Sequence, residues 1–452
     1  MGIFFSIENK WGSIMEKKYW ANEIESIGRD ELEAYQLEKL KSQIKLAYKK
    51  STYYRETFED AGLSPEDIKT LDDIRKFPIL TKQTIRERQS KKPILGDLVT
   101  VDEEQVVFIS SSSGSTGVPT ASPFSKVDFD EFQDVQSRLF WAAGMRPRDR
   151  YIHSLNFSLF VGGPDVIGAQ NLGALCIWAG TIPADRLLFI LKEYQPNIIW
   201  TTPSYAWYLG ETAVKKGIDI KKELSIRTII VAGEPGGSIP ATREAIEDLW
   251  GAKVYDFYGI SDIFGACAGA CEYHDGLHIA EDHMLVEVVD EKTGEPVAEG
   301  QRGEMLLTTL RKEARPMIRF KTGDIVTYTN QKCQCGRTHK RINIVGRVDD
   351  MFICSGVNVF PSDIEVVIRN IEDLTGEYRI TVLTENHITK FNVEVEKRKT
   401  STIESNKLID IISKELKTHL GIKPKEIILL EDGELPRATH KAKRIVDIRE
   451  EK

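Results

Sequence analysis

The sequence has few cysteines, no long apolar run and no excess of positive charge. Its 6 cysteines are sparse for 452 residues, so the sequence predicts no disulfide framework. No uninterrupted apolar stretch is long enough to span a bilayer, and a formal net charge of -8 argues against a nucleic-acid-binding surface. These shortages predict a protein that binds neither nucleic acid nor membrane, with the cytoplasm as its default location.

Composition and length indicate a soluble globular protein of more than one domain. Hydrophobic residues make up 41% and charged residues 29% of a chain of 452 residues, which is too long for one ordinary core. Residues 1–16 begin with Met1-Gly2, which formally fits a myristoylation pattern, but no polybasic stretch follows to complete an anchor. We therefore expect residues 1–16 to be a short apolar leader outside the core.

Hydrophobic periodicity predicts an α/β protein with four zones. Residues 17–95 are predicted to be helical, with a capping box formed by Asp30 and Glu33 and another helix start at Ser64-Pro65. Apolar strands alternate with helices from residue 106 to residue 256, which is typical of a sheet that binds ligands at the carboxyl ends of its strands. The pattern is rich in strands from Leu285, and the chain beyond residue 346 is long enough for a small separate domain.

A loop rich in hydroxyl groups follows the first apolar run. Residues 106–109 are predicted to be a buried strand, and residues 110–117 then supply six hydroxyl side chains and two glycines without a charge. Hydroxyl groups and freely turned backbone N–H groups suit a phosphate chain. This hydroxyl loop is not a Walker A loop, because Val118-Pro119 stands where that motif has Lys and then Ser or Thr. A flexible Ser/Gly linker is the alternative interpretation.

Six further motifs follow the hydroxyl loop in order. They are Gly233-Glu234-Pro235, Tyr258-Gly259-Ile260-Ser261-Asp262, Lys321-Thr322-Gly323-Asp324, Gly346-Arg347-Val348-Asp349-Asp350, Ser355-Gly356-Val357-Asn358-Val359-Phe360-Pro361, and Leu435-Pro436-Arg437 with Lys441-Ala442-Lys443-Arg444. This ordered series resembles the adenylate-forming enzymes, which include acyl-CoA synthetases, peptide-synthetase adenylation domains and luciferases. Within that superfamily the chain is most similar to the phenylacetate-CoA ligases, in the stretch from Gly356 to Pro361 and in the region from Tyr19-Trp20 to Leu32.

The resemblance implies a fold of two domains and a reaction of two steps. Residues 1–346 would form a large N-terminal domain of sheets and helices, and residues 347–452 a small mobile α+β domain with a hinge at Asp349. A carboxylic acid would attack the α-phosphate of ATP, and the thiol of coenzyme A would then displace AMP from the acyl-adenylate. The alternatives are transfer to a carrier-protein thiol and nucleotide binding without catalysis. A homodimer is also left open.

The resemblance further implies roles for individual residues. Asp324 would accept hydrogen bonds from both ribose hydroxyls, and Arg347 would contact ribose or phosphate. Lys441 would donate positive charge to the carboxylate and the α-phosphate, and Asp262 would bind Mg²⁺. The full set of ATP- and AMP-binding residues is Ser112, Ser113, Gly114, Ser115, Thr116, Gly233, Glu234, Pro235, Asp256, Phe257, Tyr258, Gly259, Ser261, Asp324 and Arg347.

Three positions depart from the pattern of the family. Asp262 stands where relatives usually have Glu, Val118 where many have Lys, and His440 where they have Gly before the catalytic Lys. The shorter side chain of Asp262 must bring a metal ion closer or reach it through water. Structural alternatives also stand beside the functional ones: an Asp in a turn for Asp324, a surface salt bridge for Arg347, and a solvated basic tail for Lys441.

The resemblance also places the two substrates. Coenzyme A would pass Ser355, Gly356 and Val357, because a glycine without a side chain leaves room for the thiol arm. The acid would lie near Phe157, Phe160 and Gly163, and against Gly259 and Ile260, where aromatic side chains suit an aryl or other small acid. Ordinary core packing is the alternative for each Phe, and the identity of the acid is not predicted.

Cysteine and histidine residues form a second, separate pattern. Cys271 and His274 are three residues apart, and Cys333 and Cys335 are separated by one residue. Four ligands of these types can close a tetrahedral structural zinc site if the fold brings the two halves together. His278 is the competing nitrogen ligand, and two unrelated turns are the alternative without metal.

Overall fold

The computed structural model describes residues 17–91, 95–111, 119–157, 162–354, 357–385, 388–437 and 444–449. Within these ranges the chain forms twelve α-helices, several short 3-10 helices and nineteen strands. No helix among the described residues is both long and apolar enough to cross a membrane. The α/β fold class predicted from the sequence is confirmed.

The helices begin where the sequence supplies a cap or a proline. The hydroxyls of Ser125 and Thr202 accept backbone hydrogen bonds at two helix starts, and Pro203, Pro240 and Pro361 occupy first turns, where no N–H is needed. The helices are α1 (Asn22–Glu25), α2 (Arg29–Lys50), α3 (Thr52–Asp60), α4 (Lys82–Lys91), α5 (Lys126–Ala142), α6 (Val166–Leu172), α7 (Ala184–Tyr194), α8 (Pro203–Lys215), α9 (Ile220–Glu223), α10 (Pro240–Trp250), α11 (Pro361–Arg369) and α12 (Ser405–Leu420).

The strands form one large sheet and three small ones in the described part of the chain. They are β1 (Val106–Ser111), β2 (Ala121–Ser125), β3 (Arg150–His153), β4 (Leu175–Trp178), β5 (Ile198–Thr201), β6 (Thr228–Ala232), β7 (Lys253–Ile260), β8 (Gly265–Ala270), β9 (Leu277–Ile279), β10 (Met284–Val289), β11 (Gly303–Thr309), β12 (Phe320–Thr329), β13 (Arg341–Arg347), β14 (Phe352–Cys354), β15 (Val357–Val359), β16 (Leu374–Glu385), β17 (Ile388–Lys397), β18 (Glu426–Glu431) and β19 (Ile445–Asp447).

The large sheet has eleven strands in the order β10-β11-β12-β13-β9-β8-β7-β6-β5-β3-β4. Neighbours among β4, β3, β5, β6 and β7 run parallel, and the other pairs are antiparallel. The parallel strands are almost wholly apolar because helices cover them, as in the cluster that joins β5 and β6 to α7, α8 and α10. The polar stretches after β6 and β7 therefore lie side by side at the carboxyl ends of the strands.

Strands β1 and β2 form a separate antiparallel ribbon, joined by the hydroxyl loop. Ser111 pairs with Ala121, so the two described ends of the loop lie next to each other. The prediction that β1 is buried is wrong. Val107 is 55% exposed, because the ribbon covers only one of its faces and alternate residues point outward.

Residues 352–447 have a core of their own. A four-stranded sheet in the order β18-β17-β16-β19 packs against α11 and α12 through a cluster that includes Ile364, Val393 and Ile412. The large sheet ends at Arg347, and a single 3-10 turn over Val348–Asp350 joins it to this second core. We propose that the boundary between the two domains lies here, at the position the sequence predicted.

Two local predictions in the helical region need correction. Helix α2 begins at Arg29 after Gly28, so Asp30 lies inside the first turn and cannot act with Glu33 as an N-terminal capping box. Ser64 does form a capping box with Asp67, but the helix it opens is a three-residue 3-10 helix. Local signals of this kind mark where a turn starts and not how long the helix will be.

Candidate functional site

Asp324 and Arg347 meet at the centre of the candidate nucleotide site. They face each other across the β12–β13 ladder, and Arg347 Nη1 donates a 2.8 Å hydrogen bond to Asp324 Oδ1. The hydroxyl of Tyr258, at the end of β7, donates to Oδ2 of the same carboxylate. Burial raises the pKa of Asp324, and the charge of Arg347 opposes that shift. The structure thus brings together three of the predicted residues from separate motifs.

The predicted adenine-binding residues lie after β6 and along β7, and their side chains have different roles. The carboxylate of Glu234 accepts hydrogen bonds from Ser204 at the start of α8. Phe257 is buried and its ring packs edge-on against Trp200, with 5.4 Å between ring centroids. Asp256 is half-buried and accepts a hydrogen bond from Ser238. Phe257 could therefore reach a nucleotide only through its backbone.

Asp262 lies deep beside the exit of the hydroxyl loop. It is 2% exposed, and its Oδ1 accepts a 2.8 Å hydrogen bond from Thr120, the second described residue after the loop. Its Oδ2 lies 3.4 Å from the ammonium of Lys82, which is at the start of α4. The side chain of Gln89, near the end of α4, bonds the backbone of Pro119 and of Ala121. Helix α4, the loop exit and Asp262 are thus joined into one unit.

Two buried cations below Asp262 were missed by the sequence analysis. Lys312 donates to Ser122 Oγ and to the Ile263 carbonyl at 2.9 and 2.6 Å, and Arg315 Nη2 lies 3.8 Å from Asp262 Oδ1. Burial lowers the pKa of Lys312 to about 7. The sequence held no clear signal for them, because residues 311–315 form a mostly charged run and only tertiary packing buries Lys312 and Arg315.

The predicted acyl pocket is described only in part. The ring of Phe157 stacks on Trp178 at 5.4 Å with an interplanar angle of 9°, and its other neighbour is His153 at 4.9 Å. A Cβ at Gly163 would lie 2.8 Å from the Phe157 backbone, so only glycine fits this approach. The structure places Phe157 and Gly163 together, as the sequence predicted.

Several predicted site residues lie outside the described ranges. Of the coenzyme A path, Val357 is described and begins β15. The hinge residue Asp349 is described in the 3-10 turn, where its exposed carboxylate lies 3.3 Å from Arg347 Nη2. The residues outside are Ser112, Ser113, Gly114, Ser115, Thr116, Val118, Phe160, Ser355, Gly356, His440 and Lys441.

Cysteine and histidine side chains converge at a second place, between β8, β9 and the turn before β13. Cys271, His278, Cys333 and Cys335, which we call the Cys–His cluster, have potential ligand atoms that all lie within 4.8 Å of one another. The sulfurs of Cys271 and Cys333 are 3.7 Å apart, and Cys335 Sγ is 3.5 Å from His278 Nε2. All four residues are buried.

The prediction of His274 as the fourth ligand is corrected by this geometry. His274 sits in a turn with a positive φ of 51°, and its ring packs against Tyr255 at 5.3 Å, outside the cluster. His278 takes its place because it lies on β9, where it pairs with Gly269 of β8, two residues before Cys271. Hydrogen bonds with Cys333 and Cys335 raise the pKa of His278 although its burial lowers it.

The N-terminal segment, residues 17–28, is fastened to the Cys–His cluster. Tyr19 donates a 2.9 Å hydrogen bond to the Cys335 carbonyl, and Arg337, whose N–H points at Cys335 Sγ, forms a buried 2.6 Å ion pair with Glu25. Thr338 adds a bond to the Ile27 carbonyl. The cluster therefore lies where the N-terminal segment, the large sheet and the turn at 333–337 meet.

Two family models and several curated relatives match this chain over most of its length. Residues 29–309 match the AMP-binding enzyme family, and residues 356–449 match the AMP-binding enzyme C-terminal domain. The chain is 34% identical to a phenylacetate-coenzyme A ligase of Thermus thermophilus, covering 94% of this chain and 99% of the relative. It is 36% identical to a phenylacetate-coenzyme A ligase of Escherichia coli, covering 94% of this chain and 97% of the relative.

Solved structures of a related enzyme agree with this placement. The chain superposes on 2-hydroxyisobutyryl-CoA ligase, captured in the postadenylation state with 2-HIB-AMP, with a TM-score of 0.90 at 29% identity over 96% of this chain and 93% of that chain. The thioesterification state of the same ligase, with 2-HIB-AMP and CoA, gives a TM-score of 0.72 over the same share of both chains. The chain belongs to the AMP-binding enzymes, and within that family to the relatives of the phenylacetate-coenzyme A ligases.

Proposed function

We propose that the chain is an ATP-dependent carboxylate–coenzyme A ligase that works through an acyl-adenylate. The observation that carries the proposal is a pair of polar groups at the end of β7: Tyr258 bonds Asp324 together with Arg347, and Asp262, four residues after Tyr258, is bonded by Thr120 at the exit of the hydroxyl loop. A carboxylate with two acceptor oxygens suits a ribose diol, and a hydroxyl loop suits phosphates. The phenylacetate-coenzyme A ligases at 34–36% identity support an aryl or other small acid as substrate.

Positive charge is the main requirement of the first step. The carboxylate oxygen of the acid attacks the α-phosphorus, the bond to pyrophosphate breaks, and both reactants are anions. Arg347 is 45% exposed on its side chain, with Nη1 on Asp324 and Nη2 beside the exposed carboxylate of Asp349, so ribose or phosphate can meet its guanidinium by displacing Asp349. We assign the second cation to Lys441, which stays a prediction from the sequence.

Asp262 fits a magnesium ion by its chemistry. It offers a buried carboxylate beside the hydroxyl loop, with Oδ1 oriented by Thr120 and Oδ2 facing Lys82. Magnesium prefers carboxylate and phosphate oxygens and keeps several waters, so a single protein carboxylate is sufficient. Bound there, the ion would offset charge on the phosphates. Three cations hold Asp262 in place: Lys82 lies at Oδ2, Arg315 at Oδ1 and Lys312 at the backbone carbonyl.

The relative placement of the two domains supports an adenylating arrangement. The TM-score is 0.90 against the postadenylation state of the hydroxyisobutyryl enzyme and 0.72 against its thioesterification state, at equal coverage. Among the described residues, the contacts across the boundary include an exposed pair, Arg302–Asp363, and the Arg369 guanidinium over the Trp207 ring at 4.7 Å. Such contacts are weak enough to break during a rotation at Asp349.

An acid-dependent ATP–pyrophosphate exchange assay tests the proposed function. We expect exchange with one or more acids from a panel of aryl and short alkyl carboxylates, and acyl-CoA formation when coenzyme A is added. Exchange without acyl-CoA, but with transfer to an added carrier protein, would identify the acceptor as a carrier thiol. ATP binding without exchange for any acid would show a non-catalytic nucleotide-binding relative.

We also propose that the Cys–His cluster holds a structural zinc ion. Zn–S bonds of about 2.3 Å and Zn–N bonds of about 2.05 Å in a tetrahedron require S···S and S···N separations of about 3.8 and 3.6 Å. In the cluster, Cys271 Sγ and Cys333 Sγ are 3.7 Å apart, Cys335 Sγ and His278 Nε2 are 3.5 Å apart, and all four ligand atoms lie within 4.8 Å of one another. The set supplies four protein ligands and leaves no position for substrate, which is the pattern of a structural site.

A further inference from the structure

Asp165 carries a buried carboxyl group that does no structural work in the described part of the chain. It is 1% exposed, and neither oxygen has a hydrogen-bond partner among the described residues. Asp is a common helix cap, and Asp165 directly precedes α6, yet its side chain makes no capping bond. Burial raises the pKa of Asp165 well above its usual range, and only the nearby N–H of Ala266 opposes this.

A glutamine contacts the same residue, Ala266, that lies beside Asp165. Gln136 Nε2 donates a 2.5 Å hydrogen bond to the Ala266 carbonyl, while its Oε1 has no partner among the described residues. A Cβ built on Gly265 would lie 3.0 Å from Asp165 Oδ1 and 2.8 Å from the ring of Phe132. The Asp165 carboxyl and the Gln136 Oε1 atom thus lie beside the Gly265–Ala266 backbone as buried acceptors without a partner among the described residues. An unsatisfied buried polar group costs about 1–3 kcal/mol, so both need an explanation.

This pair lies against the residues that the proposed function assigns to the acid. Gly265 pairs with Ile260 across the β7–β8 ladder, and its carbonyl would lie 2.2 Å from a Cβ at Gly259. Asp165 follows Gly163 by two residues, and Gly163 abuts Phe157. The Asp165 carboxyl is therefore bordered by both halves of the predicted acyl pocket. No Lys or Arg of the described residues forms an ion pair with it, in contrast to Asp262.

We propose that Asp165 and Gln136 bind a hydroxyl group on the acid, so that the substrate is a hydroxylated carboxylic acid. The inference rests on the proposed function and names the substrate class for that same site. A hydroxyl donates to one acceptor and accepts from another group, and it leaves water at a lower cost than a cation does. A site built to bond a substrate hydroxyl also rejects the analogue that lacks it, because its own polar groups would then stay unpaired.

Matched pairs of acids in the pyrophosphate-exchange assay test this inference. The pairs are phenylacetate with its three ring-hydroxylated derivatives, and isobutyrate with 2-hydroxyisobutyrate; an aminomethyl-substituted phenylacetate, whose alkylammonium group is charged at neutral pH, serves as the cationic alternative. We expect one hydroxy acid to exceed its unsubstituted partner in kcat/KM by at least about tenfold. Asp165→Leu should remove that preference by lowering kcat/KM for the hydroxy acid, and the isosteric Asp165→Asn should keep part of the preference.

Asp128→Asn is the matched control. Asp128 is a buried carboxyl on α5, the helix that also carries Gln136, but its oxygens are bonded by the N–H groups of Glu313 and Ala314. This variant should lose thermal stability and keep the wild-type ratio between paired acids. Equal kcat/KM ratios between paired acids in wild type and Asp165→Leu would overturn the inference. A wild-type preference for the unsubstituted acid, or for the aminomethyl-substituted phenylacetate, would overturn it as well. Absence of exchange with every acid would instead overturn the proposed function, and the inference with it.

Discussion

The nucleotide site and the Cys–His cluster are both assembled from distant parts of the chain, but they differ in how completely their groups are satisfied. In the cluster all four side chains are buried and face one another. In the nucleotide site the carboxylate of Asp324 is buried, while Arg347, its partner, is 45% exposed. A closed set of soft ligands suits an enclosed ion, and a half-open ion pair suits a ligand that comes and goes. We therefore expect changes in the nucleotide site to affect activity and changes in the Cys–His cluster to affect stability.

The largest effect is expected for Lys441→Ala. Adenylation builds negative charge at the α-phosphate, and loss of a fixed cation there should lower pyrophosphate exchange by about 10²–10³. Conversion of a supplied acyl-adenylate and thiol into thioester should stay near the wild-type rate, because that step does not need the charge. Thermal stability should be unchanged. Lys443→Ala is the control, and a reversal of the two phenotypes would assign the charge to Lys443.

Asp324→Ala should give the next largest effect, again without unfolding the protein. Its carboxylate would bond both ribose hydroxyls, and charged hydrogen bonds contribute about 1.5–3 kcal/mol each, so affinity for ATP and AMP should fall by about 10²-fold or more. Calorimetric titration with both nucleotides measures this. Arg302→Ala, which removes only the exposed partner of Asp363, should leave affinity unchanged. Wild-type affinity in Asp324→Ala would remove the residue from the nucleotide site.

Changes in the Cys–His cluster should lower stability and leave activity largely intact, the opposite of the changes in the nucleotide site. Replacing Cys333 and Cys335 with Ser should abolish the zinc content of about one ion per chain and lower the free energy of unfolding by roughly 3 kcal/mol, since the binding energy of a structural metal adds to folding. Exchange activity at low temperature should change little. Because Tyr19 and Glu25 bond residues of this turn, the N-terminal segment should gain faster amide exchange.

A cysteine and a histidine outside the Cys–His cluster provide the controls for zinc binding. Cys176→Ser changes a thiol that is half-buried on β4, away from the cluster, and should alter neither zinc content nor stability by much. His274→Ala should also leave zinc content intact, whereas His278→Ala should lower it. Elemental analysis that finds no zinc in wild-type protein purified without chelator would contradict the proposal.

The comparison also shows what the sequence could predict. The ordered motifs, through the family resemblance, were enough for the fold class, and they assigned Asp324 and Arg347 to the same nucleotide. The direct bond between the two side chains follows from the β12–β13 register, which the sequence did not specify. The choice between His274 and His278 depended on the β8–β9 register, which spacing in sequence does not encode. Lys312 and Arg315 were missed because they act through burial, and burial of a cation is decided by tertiary packing.

The smallest predicted effect concerns the pH dependence of stability and again separates the two regions. Burial raises the pKa of Asp256, in the nucleotide site, to about 7, although Ser238 donates a hydrogen bond to it. Between roughly pH 4 and pH 7 the folded chain then keeps a proton that the unfolded chain has released. Stability from this residue is therefore greatest below that window, falls as the pH rises through it, and is constant above it.

Asp256→Asn should remove this slope. An uncharged amide has no proton to lose, so the variant should gain stability relative to wild type at pH 8 by about 1–2 kcal/mol and show little gain at pH 4; the figure is kept small because the side chain is only half-buried. Urea unfolding of metal-loaded protein at both pH values measures it. Asp248→Asn, at an exposed position on α10, is the matched control and should show no difference between the two pH values. An equal change at pH 4 and pH 8 in Asp256→Asn would mean that lost hydrogen bonding, and not the ionisation of a desolvated carboxyl, sets the stability of this part of the nucleotide site.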